Sequence, residues 1–386
     1  MDSKTQHAIV TEEMLAEHRN RIGKIWVPDK PYCNTQAVAD NIRKFAEGIG
    51  DDNPLFRDRE YASKTKYGCM IAPPCFLMSV WWPGRATGLA GIHGWDSGKD
   101  FKFYKPIMEG DTITYTVTQT ALNERESKIA GRIWEQHSDT VYKNQKGETI
   151  AICDGWTTRA ERAAAGEKGK NRTTTKHITN PEELKGILAD YDAEVVRGAN
   201  PRYWEDVKEG DILTQVVKGP LTLRDMITWI MGAGSPFMKA HKRFYNFARE
   251  HQKAAMMDST TGEMDAPELV HLEQTRAQEI GISAAYDYGA QRVSWLGNLL
   301  TNWMGDDAFL KKYRAELRRF NIIGDTTWLK GTVSKKYIDE DNEHCIDINC
   351  WAENQRKEIT MPGFATIVLP SREEKNWPVL QRLTKG

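Results

Sequence analysis

A carboxylate and a histidine held together can move the protons that a water addition requires, and this chain offers both, in different halves. Asp51 stands in "IGDDNPLFRD" beside Asn53 and Pro54, and two residues past that proline comes Phe56. His271 stands in "DAPELVHLEQTRA", with Asp265 before it and the "YDYG" turn, Tyr286, Asp287 and Gly289, after it. A histidine titrates near neutral pH, so it can take a proton from water and return it, worth roughly 10²–10⁴-fold in rate. Gly289 opens an apolar-periodic stretch, and the N–H groups at a helix start can stabilise charge that develops on a carbonyl oxygen. Asp287 reads first as a cap for that helix, and Asp51 with Asn53 can equally cap a turn.

The elements that position these residues repeat. Residues 157–180, "TTRAERAAAGEKGKNRTTTKHITN", are polar and nearly free of large apolar side chains, which marks a linker between two comparable lengths of chain. "NIRKFAEGIGDDNP" before it resembles "LRDMITWIMGAGSP" after it, ending at Pro54 and Pro236, so that Asp51 falls on Ala233. "KPIMEGDTITYTV" resembles "RFNIIGDTTWLKGTV" with Gly110 on Gly324, and "FRDREYASKTKYGCMIAPP" aligns with "HLEQTRAQEIGISAAYDYG". In that last register Phe56 falls on His271, and the second half carries an insertion at about 237–268.

After each anchor the pattern predicts a helix followed by strands. Val293, Leu296, Leu300, Trp303 and Met304 share one apolar face in "GAQRVSWLGNLLTNWMG", whereas "PCFLMSVWWPGRATGLAG" is broken at Pro83-Gly84 and predicts a kinked or short helix. Stretches such as "DTITYTVTQTALN" and "HCIDINCWAENQ" alternate polar with β-branched or aromatic residues, as strands of an antiparallel sheet with one solvated face do. Each half is therefore an α+β unit, a sheet wrapped round one buried helix. The units are 1–165 and 196–386, joined by a linker at 166–195.

A net charge of about −1 and 28% charged residues carry no basic surplus that would point to nucleic acid or an anionic membrane. Without an apolar run of spanning length or a signal-type N-terminus, and with six cysteines lacking any C-x-x-C pair, the chain reads as a protein of the reducing cytoplasm. There is no glycine-rich dinucleotide or phosphate loop and no His/Cys cluster at metal spacing, so no cofactor and no metal is expected.

With these residues in place, the chain resembles the MaoC-like (R)-specific enoyl-CoA hydratases and dehydratases, whose loop runs roughly G-D-x-N-P-x-H. The first half shows "GDDNPLFRDREYA" and "IAPP", lacking only the His; the second shows "GAGSP", the insertion, "HLEQTRA" and "YDYG". The resemblance spans about Thr35 to Arg372. It implies a double hotdog fold and an acyl thioester substrate, coenzyme A entering as part of it. An Asp and a His would handle the water, and a backbone N–H at the helix start would polarise the thioester carbonyl.

His271 is the expected catalytic histidine, with Asp265 or, across the pseudo-twofold, Asp51 as its acid. Gly289, Tyr286, Asp287, Asn53 and Phe56 would contact substrate or shape the oxyanion site. In the first half Pro73 and Pro74 lack the N–H, leaving that of Cys75. Lys242 and Arg243 of the basic insertion, and Arg85 of "WWPGRATG", would meet the phosphates of coenzyme A. A thioesterase acting through Asp287, or a non-catalytic acyl-CoA-binding protein, are the alternatives. A duplicated hotdog can stand alone or form a homodimer.

Overall fold

The computed structural model describes residues 9–384 except 28–32, 86–87, 90–91, 128–130, 162–173, 252–254 and 258–260. Ten strands form one continuous sheet. They are β1 (Ile25–Trp26), β2 (His93–Phe103), β3 (Thr114–Ser127), β4 (Gly131–Lys143), β5 (Thr149–Ala160), β6 (Val216–Lys218), β7 (Phe309–Glu316), β8 (Thr327–Ile338), β9 (His344–Asn354) and β10 (Ile359–Val368). Their order is β1-β3-β4-β5-β2-β7-β10-β9-β8-β6, so the two halves meet where β2 pairs with β7. At that seam Asp100 lies opposite Arg314, and their side chains bond at 3.0 Å. Phe101 faces Tyr313 on one side and Lys99 faces Ala315 on the other. Residues 214 apart therefore occupy equivalent places about a local twofold, the same separation as the positive-φ turn glycines Gly110 and Gly324. The fold is an α+β double hotdog.

The helices that bear on the site are α1 (Ala39–Ile49), α2 (Leu77–Val80), α3 (Pro181–Asp192), α4 (Leu223–Ala233), α5 (His241–Glu250) and α6 (Gly289–Met304). α6 is buried on every side, so each polar residue it carries needs a partner inside the protein. Gln291 donates to the Asp225 carbonyl at 3.0 Å, Ser294 to that of Ala290 at 2.8 Å, and Arg292 to Asp287 and the Arg319 carbonyl. Leu296, Leu299 and Leu300 fill the sheet's concave face, each worth roughly 1.5–3 kcal/mol of burial. The counterpart in the first half is only a 3₁₀ turn, Pro74–Phe76, and the single turn of α2; Val80 is the last helical residue ahead of Pro83-Gly84.

α1 crosses α4 through two glycines. A Cβ on Gly48 would lie 3.0 Å from the Thr228 carbonyl, and one on Gly232 would press on the Lys44 carbonyl and the Phe45 Cα. The approach is reciprocal, so Gly48 and Gly232 are equivalent, as are Phe45 and Trp229, whose rings meet edge-on at 5.7 Å. This corrects the expected register by two residues: Asp51 corresponds to Ser235, not to Ala233. Gly50 and Gly234, both at positive φ, are then the matching helix ends. The insertion begins immediately after Ser235. It folds as α5 and a two-stranded hairpin, Met256–Met257 with Met264–Asp265. Of the expected linker at 166–195, residues 166–173 lie outside the described residues. Much of the remainder is α3, capped by Asn180 and Glu183. Among the described residues no helix is long and apolar enough to cross a membrane.

Candidate active site

His271 ends a 3₁₀ helix, Pro267–His271, that the insertion delivers to the start of α6. Proline at its first position fixes φ and forfeits no needed donor. The imidazole is half-buried between two tyrosines, stacked on Tyr288 at 4.0 Å and edge-on to Tyr286 at 4.5 Å. Its Nδ1 donates to the Tyr286 carbonyl at 2.9 Å, which leaves Nε2 as the nitrogen for chemistry. Burial pushes its pKa down to about 4, so at neutral pH it is an uncharged base.

Glu268, three residues earlier on the same 3₁₀ helix, is the carboxylate that the helix spacing assigns to the face of His271. Side chains at i and i+3 eclipse in a 3₁₀ helix, which puts both on one face. Glu268 is 5% exposed, and burial pushes its pKa up to about 7. Its Oε2 accepts from the Ser235 hydroxyl, while Oε1 is buried with no hydrogen-bond partner among the described residues. Ser235 in turn accepts from the N–H groups of Phe237 and Met238, at 3.0 and 3.1 Å. Tyr288 joins the two groups: it stacks on His271 and feels the charge of Glu268. Sequence reasoning passed over Glu268, Ser235 and Tyr288. The spacing of "PELVH" was the available signal, but it speaks only once those five residues are known to be 3₁₀.

Asp265 is not brought to His271 in this way. It sits in the hairpin and spends Oδ1 on the N–H of Ala266 at 2.7 Å. The hybrid pairing with Asp51 is also corrected. Asp51 is fully buried near Asn298, Lys218 and Cys75, its Oδ1 accepting from the Asn53 N–H at 2.9 Å. Asn298 stands nine residues beyond Gly289, the start of α6 near His271, which is on the order of 14 Å of helix. Asn53 caps the 3₁₀ turn Pro54–Phe56 by accepting from Leu55 N–H at 3.0 Å. Phe56 is buried in the wall of a separate, small apolar pocket of about 40 Å³ with Leu55, Ile71, Phe103, Phe309 and Leu310.

The helix-start residues divide. Gly289 is the first residue of α6, where backbone packing is close: a Cβ there would lie 2.6 Å from Leu317 Cδ1 and 2.9 Å from Asp96 Oδ2. Asp287 is not the cap; Tyr288 holds that position, and the Asp287 carboxylate is buried in a two-pronged ion pair with Arg292, one contact being 2.7 Å. That pairing removes it as a base for thioester hydrolysis. Tyr286 supplies the carbonyl that fixes His271.

Lys242 and Arg243 are exposed on α5. The cations whose charge reaches Glu268 are Arg85, over the rings of Trp81 and Phe237, and Lys239, which donates to the Pro236 carbonyl. Arg243 lies near enough to depress the pKa of Lys239, though burial is the larger cause.

Residues 34–153 match the family described as FAS1-like, dehydratase domain region. A UPF0336 protein of Thermobifida fusca is 30% identical over 116 residues, which cover 28% of this chain and 72% of that protein. A solved structure named as a MaoC-like dehydratase superposes with a TM-score of 0.60 at 15% identity, covering 91% of this chain and 99% of its own. A Mycobacterium tuberculosis protein described as having a double hotdog fold superposes at 0.52 and 9% identity, over 90% and 96% of the two chains.

Proposed function

The chain belongs to the UPF0336 family and is a double hotdog protein of the MaoC-like dehydratase type, and from that premise we propose that it adds or removes water across the 2,3 double bond of an enoyl-CoA thioester. The observation that carries this reading is His271. It is a neutral imidazole, oriented by the Tyr286 carbonyl, with Nε2 left for chemistry beside the start of a buried helix. Nε2 takes a proton from water as its oxygen attacks the β-carbon. The electrons shift to the thioester oxygen, where the unpaired N–H groups and positive end of α6 stabilise them. Water is the only co-reactant this chemistry requires. Arg85, Lys239 and Arg243, with Lys242 farther out, suit the phosphates of coenzyme A.

The six free thiols agree with the reducing cytoplasm in which such thioesters are made and used. The duplicated fold already joins two units in one sheet, and it can act alone or as half of a homodimer. The test is to offer a panel of enoyl-CoA and saturated acyl-CoA esters, following conjugated absorbance and free thiol. Loss of conjugated absorbance without thiol release is expected. Thiol release from saturated esters would make the protein a thioesterase, and inertness toward every ester would overturn the assignment.

A further inference from the structure

We propose that Glu268, oriented by Ser235, is the acid that works with His271, occupying in the second half the place that Asp51 holds in the first. The inference deepens the hydro-lyase reading and rests on it. The reciprocal glycine crossing of α1 and α4 makes Ser235 the equivalent of Asp51, where the second half has no carboxylate of its own. The 32 residues after Ser235 leave the loop and return with Glu268, whose Oε2 lands on the Ser235 hydroxyl. Two backbone N–H groups bond the serine oxygen, so its single proton is directed to Oε2 and the carboxyl is held in one orientation. Oε1 is then the free end. It is buried and unpaired among the described residues, on the face of the 3₁₀ helix that also carries His271. A buried carboxyl oxygen without a partner costs stability, and a reacting ligand is what would satisfy it.

The groups facing Glu268 are Ser235, Arg85, Lys239, Cys33 and Tyr288, besides His271 on its own helix. Burial outweighs the Ser235 hydrogen bond and the two cations, so Glu268 keeps its proton up to about pH 7 while His271 gives up its own above about pH 4. Two groups whose environments push them apart in this way divide the acid and base work. In hydration the water oxygen bonds to Cβ and its proton goes to His271 Nε2. The π pair of the double bond becomes the enolate, and Cα then takes the proton from Glu268 Oε1. One proton passed back from His271 to Glu268 restores both, and the sum is one water added. Dehydration runs the same steps in reverse.

Glu268→Gln, His271→Ala and Ser235→Ala are to be assayed on the best enoyl-CoA across pH, with binding of a saturated acyl-CoA as the folding control. Glu268→Gln is expected to lower kcat about 10²–10³-fold with little change in binding. Ser235→Ala should lose about tenfold, and it should move the alkaline limb above pH 7, because removing a donor to the carboxylate favours its neutral form. Ser235→Asp combined with Glu268→Gln returns a carboxylate to the Asp51-equivalent site and should recover about tenfold of the lost rate. Full activity in Glu268→Gln beside an inactive His271→Ala would overturn the role of Glu268 and leave the hydro-lyase reading standing. An alkaline limb unmoved by Ser235→Ala would overturn it even if Glu268→Gln does not fold. A wild-type protein inert on every enoyl ester would overturn both.

Discussion

The two halves place the same loop against the same kind of helix start, and they fill the shared slot with different side chains. In the second half the slot holds His271, with Glu268 three residues before it bonded to Ser235 and the sixteen residues of α6 behind. In the first half the slot holds Phe56, the helix start runs through Pro73 and Pro74, and the wall is apolar. The first half retains its acid, Asp51, but Phe56 stands where the second half has a histidine, and burial pushes the Asp51 pKa up to about 6. On the proposed reading, duplication freed one cleft from catalysis and left the other to carry a long insertion inside the loop that bears His271.

The harshest test of this contrast exchanges the residues of the shared slot. His271→Ala is expected to lose about 10²–10⁴-fold in kcat, and adding Phe56→His to that variant should recover nothing. Recovered turnover would mean that the first cleft is a dormant copy of the second.

Asp51→Asn probes the idle acid. Because its folded pKa lies above the unfolded value, Asp51 favours folding most below about pH 4, and that advantage disappears as pH rises toward 6. The asparagine should therefore stabilise the protein at pH 8 by roughly 2–3 kcal/mol and hardly at all at pH 3.5, measured by denaturant unfolding. Hydration should stay within about twofold, since Asp51 is remote from His271. A large drop in kcat would restore the pairing across the halves.

The pH profile of kcat/KM comes next in size. An acid limb near pH 4 from His271 and an alkaline limb near pH 7 from Glu268 should each fall about tenfold per pH unit. A profile flat from pH 6 to 9 would break the division of labour. The smallest effect belongs to the mouth of the cleft. Lys239→Ala with Arg243→Ala should raise KM for coenzyme A esters by about 5–20-fold and leave kcat nearly unchanged, as loss of uniform binding does.

How far these features could be read from the residues differs by element. His271 was legible because the motif around Phe56 reappears around it without an internal gap. The broken first-half helix was legible in Pro83-Gly84. Glu268 was hidden because its partner Ser235 stands 33 residues earlier, and because matching the prolines of "DDNP" and "GAGSP" set the register two residues off. Only the backbone contact of Gly48 with Gly232 corrects it. Asp265 misled by proximity in sequence, since the hairpin directs its carboxylate to its own backbone. Within the expected linker, "NPEE" carried the signature of a capped helix, and α3 begins there.

A crystal structure with a non-reactive acyl-CoA analogue tests the central claim most directly. The account predicts the thioester carbonyl at the start of α6, with the acyl β-carbon within reach of His271 Nε2. A carbonyl bound instead at the Cys75 turn of the first half, beside Phe56, would contradict it.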